Sequence, residues 1–105
     1  MLLAGYASVT PAHAETWIDV RSAEEYAAGH VPQAINIPHD EIGERIAALD
    51  LAYDQPFLLY CRSGRRSGLA RETLSSMGFT ELTNVGGLED AEKLSKSMAE
   101  QIKSD

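Results

Sequence analysis

The chain lacks most of what would cross-link or anchor a protein from outside its core. It has one cysteine, Cys61, in 105 residues, so no internal disulfide is possible and no disulfide framework points to a redox compartment. Nor is there a second thiol to resolve an oxidised or sulfur-loaded Cys61. Basic residues are outnumbered, 9 against 16 acidic, for a formal charge of -7. That deficit argues against nucleic acid or an anionic membrane as partner, since both reward broad Lys/Arg faces. The three histidines, His13, His30 and His39, have no neighbours at metal-ligand spacing, so neither a metal nor a cofactor is expected. No internal repeat, low-complexity tract or inter-domain linker is present.

What remains is ordinary for a soluble globular protein, with 44% apolar and 24% charged residues. A chain of this length makes one domain and buries roughly 65% of its unfolded surface. Met1 to Ala14 differ from the rest. Leu2, Leu3, Ala4, Ala7 and Val9 form a short apolar run with no Lys or Arg before it, and Ala12 and Ala14 give the A-x-A pattern of a signal-peptidase site. Residues 1–14 are therefore read as a signal peptide and residues 15–105 as the domain. Cleavage would put the domain in an exported, periplasmic space; without it the protein is cytoplasmic.

Short apolar runs alternate with helical patterns along the domain. Thr16 to Val20 is a β-rich run, and Ser22 lies three residues before Glu25, the capping-box spacing that opens a helix ending at Gly29. Ala34 to Ile37 predicts a second strand, stopped by Pro38. Asp40 is the expected N-cap of a helix with Ile42, Ile46 and Leu49 on one face. Pro56 to Tyr60 is the most continuously apolar stretch, as expected of a central parallel strand covered on both faces. Ser67 to Met77 predicts a helix with Ala70, Leu74 and Met77 inward and Gly78 as its stop. Phe79 to Val85 predicts a strand, Gly86-Gly87 a turn, and Glu89 onward a last helix whose Leu94, Met98 and Ile102 form a docking stripe. The alternation implies an α/β fold with a central, mainly parallel sheet flanked by helices. In such sheets ligands bind beyond the carboxyl ends of the strands.

Cys61 stands at that end. Four of the nine basic residues, Arg62, Arg65, Arg66 and Arg71, lie within ten positions after it. A cysteine between a strand and a helix N-terminus meets the positive end of the helix dipole and outward-pointing amides. With arginines nearby, its pKa should fall below the free value of about 8.5, and the thiolate is the nucleophile. Gly64 and Gly68 let the backbone curve so that amides ring an anion. Other candidates are weaker. His30 reads as a structural hydrogen bond at a helix end, Asp19 and Arg21 as supports that orient the loop, and Glu24-Glu25 as a solvated helix start.

These residues resemble a known family, the single-domain rhodanese sulfurtransferases. Three segments carry the resemblance: Ile18-Asp19-Val20-Arg21 through Glu25-Tyr26 and Gly29 to Pro38; Cys61-Arg62-Ser63-Gly64-Arg65-Arg66; and Gly78-Phe79 through Val85-Gly86-Gly87-Leu88. Gln33 departs from the glycine common in that turn. The resemblance implies a rhodanese-like fold and a six-residue active-site loop counted from Cys61. Related phosphatases use Cys-x5-Arg, which would require arginine at position 67, where this chain has Ser67.

The resemblance further implies sulfur transfer. Cys61 attacks the outer sulfur of thiosulfate or a similar anionic donor, sulfite leaves, and a Cys61 persulfide passes its sulfur to cyanide or a thiol. Arg62, Ser63, Gly64, Arg65 and Arg66 would bind the donor. Two alternatives stay open: a sulfur-carrying or sensing module with little turnover, and a phosphatase or arsenate reductase of the same fold.

Overall fold

In a computed structural model that describes residues 14–104, the elements alternate along the chain as β1 (Thr16–Asp19), α1 (Ala23–Ala28), β2 (Ile35–Asn36), α2 (Ile42–Ala47), β3 (Phe57–Tyr60), α3 (Arg65–Ser76), β4 (Leu82–Gly86) and α4 (Leu88–Ser104). The expected signal segment lies outside the described residues apart from Ala14. All strand pairings are parallel, in the order β2-β1-β3-β4. The most apolar run thus becomes a central strand, with Ile18 level with Leu59 on one side and Leu59 level with Asn84 on the other.

Both faces of the sheet are covered, and the period-two alternation of strand side chains divides the core in two. Ile18, Phe57, Leu59 and Cys61 pack with Ile42 and Ile46 of α2 and with Ala70 and Leu74 of α3. Trp17, Leu58 and Tyr60 face the other way, onto Ala91, Leu88, Leu94 and Met98 of α4. Continuing the pleat of β3 by one residue therefore turns Cys61 toward α3. Its direction follows from the parity of the strand.

The capping box forms as expected: Glu25 N–H donates to Ser22 Oγ at 3.2 Å, and Ser22 N–H donates to Glu25 Oε1 at 3.1 Å. Several boundaries differ. Asp40 does not cap α2, because Glu41 N–H bonds Pro38 O in a turn that contains Asp40, which leaves Glu41 in the capping position without a side-chain bond. Leu49 leaves the apolar face, since α2 ends at Ala47 and the chain reverses through Asp50 at φ 51°; Leu49 is 52% exposed. Helix α3 begins at Arg65, two residues early, because the Gly68 N–H already bonds Gly64 O at 3.0 Å. Phe79 is buried ahead of β4, edge-on to Phe57 and Tyr53, rather than within the strand. On α4, Leu94 and Met98 dock as predicted, whereas Ile102 is 75% exposed.

Among the described residues no helix is long and apolar enough to cross a membrane. Leu74, fully buried beneath α3, carries core energy that Leu49 does not. Leu74→Ala should destabilise the domain by about 2–5 kcal/mol, and Leu49→Ala should stay within about 0.5 kcal/mol. Urea unfolding of the two variants measures the contrast, and equal losses would contradict this placement of the core.

Candidate active site

Three constraints converge where β3 ends. Tyr60 hydroxyl accepts the Val31 N–H at 3.1 Å beneath the sheet, Cys61 N–H donates to Gly86 O at 3.0 Å, and α3 starts four residues later. Between strand and helix the chain must make a tight arc. Gly64 takes φ 99° to close it, a left-handed conformation that a side chain would strain. The opposite wall is as close: a Cβ on Gly87 would lie 2.6 Å from Arg62 O, so the β4–α4 turn packs directly on the loop.

Helix α3 has no side-chain N-cap. Cys61 Sγ fills that role, accepting the Gly64 N–H at 3.0 Å. The amides of Ser63 and Ser67 also lie within its hydrogen-bonding influence. Ser67 is the third residue of the helix, the position whose N–H an N-cap ordinarily satisfies. The first-turn amides therefore carry the partial positive charge of the helix end onto sulfur.

Cys61 is 1% exposed. Burial is the largest influence on its thiol and pushes the pKa up, but the Ser67 hydroxyl and the amides of Ser67, Ser63 and Gly64 outweigh it and bring the pKa down to about 7. The expected drop is present. Its main cause is the hydroxyl and the amide ring rather than the arginines. Ser67 Oγ lies 3.4 Å from Sγ and also donates to Asn84 Oδ1 at 2.6 Å. Asn84 in turn donates from Nδ2 to Gly64 O at 2.9 Å and accepts the Gly86 N–H at 3.1 Å. One side chain of β4 thus holds the loop, the strand end and the serine together.

The arginines divide into two kinds. Arg66 makes a two-pronged ion pair with Glu25, at 2.9 and 3.0 Å, and this corrects the reading of Glu25 as a merely solvated residue. Glu25 Oε1 also accepts from Ser22, so one carboxylate closes the cap of α1 and ties it to the first turn of α3. Arg62 and Arg65 are exposed beside the arc and enter no ion pair among the described residues. Arg71 is exposed further along α3.

Asp19 and Arg21 do not join the loop. They pair with each other at 2.6 Å, Arg21 also donates to Gly29 O at 2.7 Å, and its guanidinium lies 5.6 Å from the Tyr60 ring centre. Their reach to the site runs through Tyr60, the residue before Cys61. His30 takes the structural part expected of it, bonding Tyr26 O through Nδ1 at 2.7 Å and stacking on the Tyr26 ring. Gln33 bonds Ser95 of α4. A groove of about 880 Å³, walled by Trp17, His30, Met98 and Ile102, does not include Cys61.

Sequence reasoning missed Ser67, Asn84 and the partner of Arg66. Ser67 had drawn notice only as a helix start and as the wrong residue for a phosphatase frame. A polar asparagine in a β-rich run beside a predicted glycine turn was the available sign for Asn84. Among the described residues no group of His, Cys, Asp or Glu is arranged to hold a metal.

Comparison with known proteins gives a consistent result. The family model "Rhodanese-like domain" matches residues 7–93. The chain is 51% identical over 77 residues to thiosulfate sulfurtransferase PspE of Escherichia coli, covering 73% of this chain and 74% of that protein. It is 35% identical to the human thiosulfate:glutathione sulfurtransferase over 81 residues, covering 66% of this chain and 70% of that one. A solved rhodanese with anions from E. coli superposes with a TM-score of 0.69 at 51% identity, covering 73% of this chain and 91% of the other.

Two measurements check the site. Alkylation of Cys61 by iodoacetamide should rise with pH about a midpoint near 7, the position of the lowered thiol pKa; a midpoint at the ordinary thiol value would refute the amide ring. For Glu25, the Arg66 bond first and the Ser22 amide next hold the carboxyl at about 2, below its ordinary 4.5. A depressed carboxylate contributes stability above its unfolded pKa and loses it as pH falls through the folded one. The stability gap between wild type and Glu25→Gln, read by urea unfolding, should therefore narrow from pH 4.5 toward pH 2.

Proposed function

The chain belongs to the rhodanese-like family, and from that premise we propose that it is a thiosulfate sulfurtransferase working through a Cys61 persulfide. One observation carries the reading: a buried, ionisable Cys61 Sγ receives the Gly64 N–H at the start of α3, in a loop that closes before Ser67. Such a cradle holds one added sulfur against backbone amides, and the phosphatase frame would need an arginine where Ser67 is buried.

In the first half-reaction the Cys61 thiolate attacks the outer sulfur of thiosulfate. The bond between the two sulfurs of the donor breaks, its electron pair leaves with sulfite, and the new sulfur on Cys61 carries the negative charge. The amides of the arc face that charge, and low local polarity strengthens each of those bonds. Arg62 and Arg65, in no ion pair among the described residues, attract the donor's sulfonate, while Arg66 keeps the helix start in place through Glu25. Ser63 and Gly64 contribute backbone amides to the cradle. Asp19 and Arg21 steady Tyr60 beneath it. In the second half-reaction a thiophilic acceptor, cyanide or a thiol, attacks the outer sulfur and restores the thiolate. The names of the two relatives, a thiosulfate sulfurtransferase and a thiosulfate:glutathione sulfurtransferase, support the donor and a thiol acceptor. The E. coli structural neighbour is a rhodanese solved with anions, which supports an anionic substrate.

The proposal extends to location. The apolar run and A-x-A pattern of residues 1–14 support export to the periplasm with cleavage before Glu15, whereas the uncleaved protein is cytoplasmic. N-terminal sequencing of the secreted fraction reads the cleavage point directly.

Incubated with thiosulfate and cyanide, the protein should form thiocyanate, and Cys61→Ser should form none. Arg62→Ala and Arg65→Ala should each raise the KM for thiosulfate by about tenfold, the usual effect of losing one charged hydrogen bond. Phosphate release from an aryl phosphate without thiocyanate would replace this reading with a phosphatase or arsenate reductase. Stoichiometric sulfur loading with negligible turnover would make the protein a sulfur carrier or sensor.

A further inference from the structure

The hydrogen-bond inventory at Cys61 leaves one proton to be shared between two acceptors. The amide of Asn84 has a fixed orientation, because Nδ2 donates to Gly64 O at 2.9 Å while Oδ1 accepts the Gly86 N–H at 3.1 Å. Oδ1 only accepts, so the 2.6 Å contact from Ser67 requires the serine to donate. Its single hydroxyl proton is then committed to Asn84. Toward Cys61 Sγ, 3.4 Å away, Ser67 turns a lone pair. That arrangement suits a neutral thiol, whose S–H is a donor. It does not suit a thiolate, which only accepts and would face oxygen lone pairs in a buried site, with Cys61 at 1% and Ser67 at 0% exposure. Turning lone pairs onto a buried charge is the costlier choice, and Asn84 Oδ1 retains the Gly86 N–H when the serine leaves it.

Resting on the sulfur-transfer reading above, we propose that Ser67 is a catalytic residue whose hydroxyl turns from Asn84 to Cys61 Sγ whenever that sulfur carries charge, and so stabilises Cys61 as the leaving group when sulfur is unloaded. The persulfide makes the role directional. With a second sulfur attached, the negative charge sits on the outer atom and Sγ is an uncharged, two-bonded sulfur. Ser67 then returns its proton to Asn84. When the acceptor's lone pair forms a bond to the outer sulfur, the S–S bond breaks and its electron pair passes to Sγ. No proton is gained or lost: cyanide and the persulfide anion become thiocyanate and thiolate, and a thiolate acceptor becomes a persulfide in the same way. The Ser67 O–H is within reach of the charge as it develops on Sγ, while the arc amides release the charge that departs on the outer sulfur. The lower the basicity of Sγ, the faster it leaves.

The groups that act on Sγ are few. Arg66 of α3 attracts it but is paired with Glu25 of α1. The arc provides the amides of Ser63 and Gly64, and α3 adds that of Ser67. From β4 comes the neutral Asn84, and Asp90 of α4 is directed to the Gly87 N–H at 3.0 Å.

Ser67→Ala removes the rotor and leaves Asn84 with both of its backbone bonds, so the loop keeps its support. Thermal unfolding followed by circular dichroism checks that it folds, and Ser67→Thr restores the hydroxyl as the conservative rescue. In Ser67→Ala the iodoacetamide midpoint of Cys61 should rise by about one pH unit. In stopped-flow half-reactions above both midpoints, unloading of the persulfide by cyanide should slow by about tenfold, with loading from thiosulfate changed much less. An unmoved midpoint overturns the assignment, and so does equal slowing of both halves, the signature of a merely structural role. Failure of Ser67→Thr to regain the asymmetry, in a folded protein, overturns it as well. The alkylation arm involves no sulfur transfer. A wild type that makes no thiocyanate therefore refutes the sulfurtransferase reading alone, while the midpoint still decides whether Ser67 serves the thiolate.

Discussion

The structure depends on keeping a negative charge on a sulfur atom buried from solvent. Burial alone pushes the Cys61 thiol toward its neutral form. The domain offsets this with dipoles, aiming backbone amides and one hydroxyl at Sγ instead of setting a guanidinium against it. Dipoles held in place by a fold need little reorganisation when charge appears or leaves, whereas a tight ion pair would hold the thiolate and blunt it as a nucleophile. Surroundings of moderate polarity accommodate the sulfur both charged and uncharged.

That requirement explains features which would otherwise look unrelated. Helix α3 begins without a side-chain cap because the sulfur is its cap. Gly64 turns left-handed so that its N–H points inward, and Gly87 has no side chain because Arg62 O occupies the place where one would be. Asn84 braces Gly64 O from the neighbouring strand, which converts a flexible arc into part of the sheet edge. Glu25 takes up the charge of Arg66 and anchors the helix start to α1. Arg62 and Arg65 stay exposed beside the arc.

Much of this was legible from local pattern. The alternation of apolar runs and helical stripes implied the parallel sheet, and the spacing of Ser22 and Glu25 implied a capping box that is present atom for atom. The place of Cys61 at the end of the most apolar run was legible too, and strand ends are where parallel sheets expose their ligand sites. The failures have physical causes. Asp40 lost its capping role to a turn begun by Pro38, and Leu49 left its stripe because α2 stopped after six residues. The amide ring around the thiol was foreseen, but the share given to the arginines belongs to the Ser67 hydroxyl, because charge is visible in a sequence and hydroxyl direction is not.

The linear chain settles which atoms are available: one thiol, a glycine where the arc must turn left-handed, a loop length that excludes arginine from position 67, and periodicities that send alternate residues to opposite faces. These follow from covalent spacing and from the twofold and 3.6-fold repeats of regular structure, which are local properties. Tertiary packing alone decided which arginine is neutralised, which face Asp19 and Arg21 serve, and that Ser67 and Asn84 share a single proton beside Cys61. Such pairings join residues 17 to 41 positions apart, and the distances and directions of hydrogen-bonding groups exist only once β4 and α1 have packed on either side of the helix start.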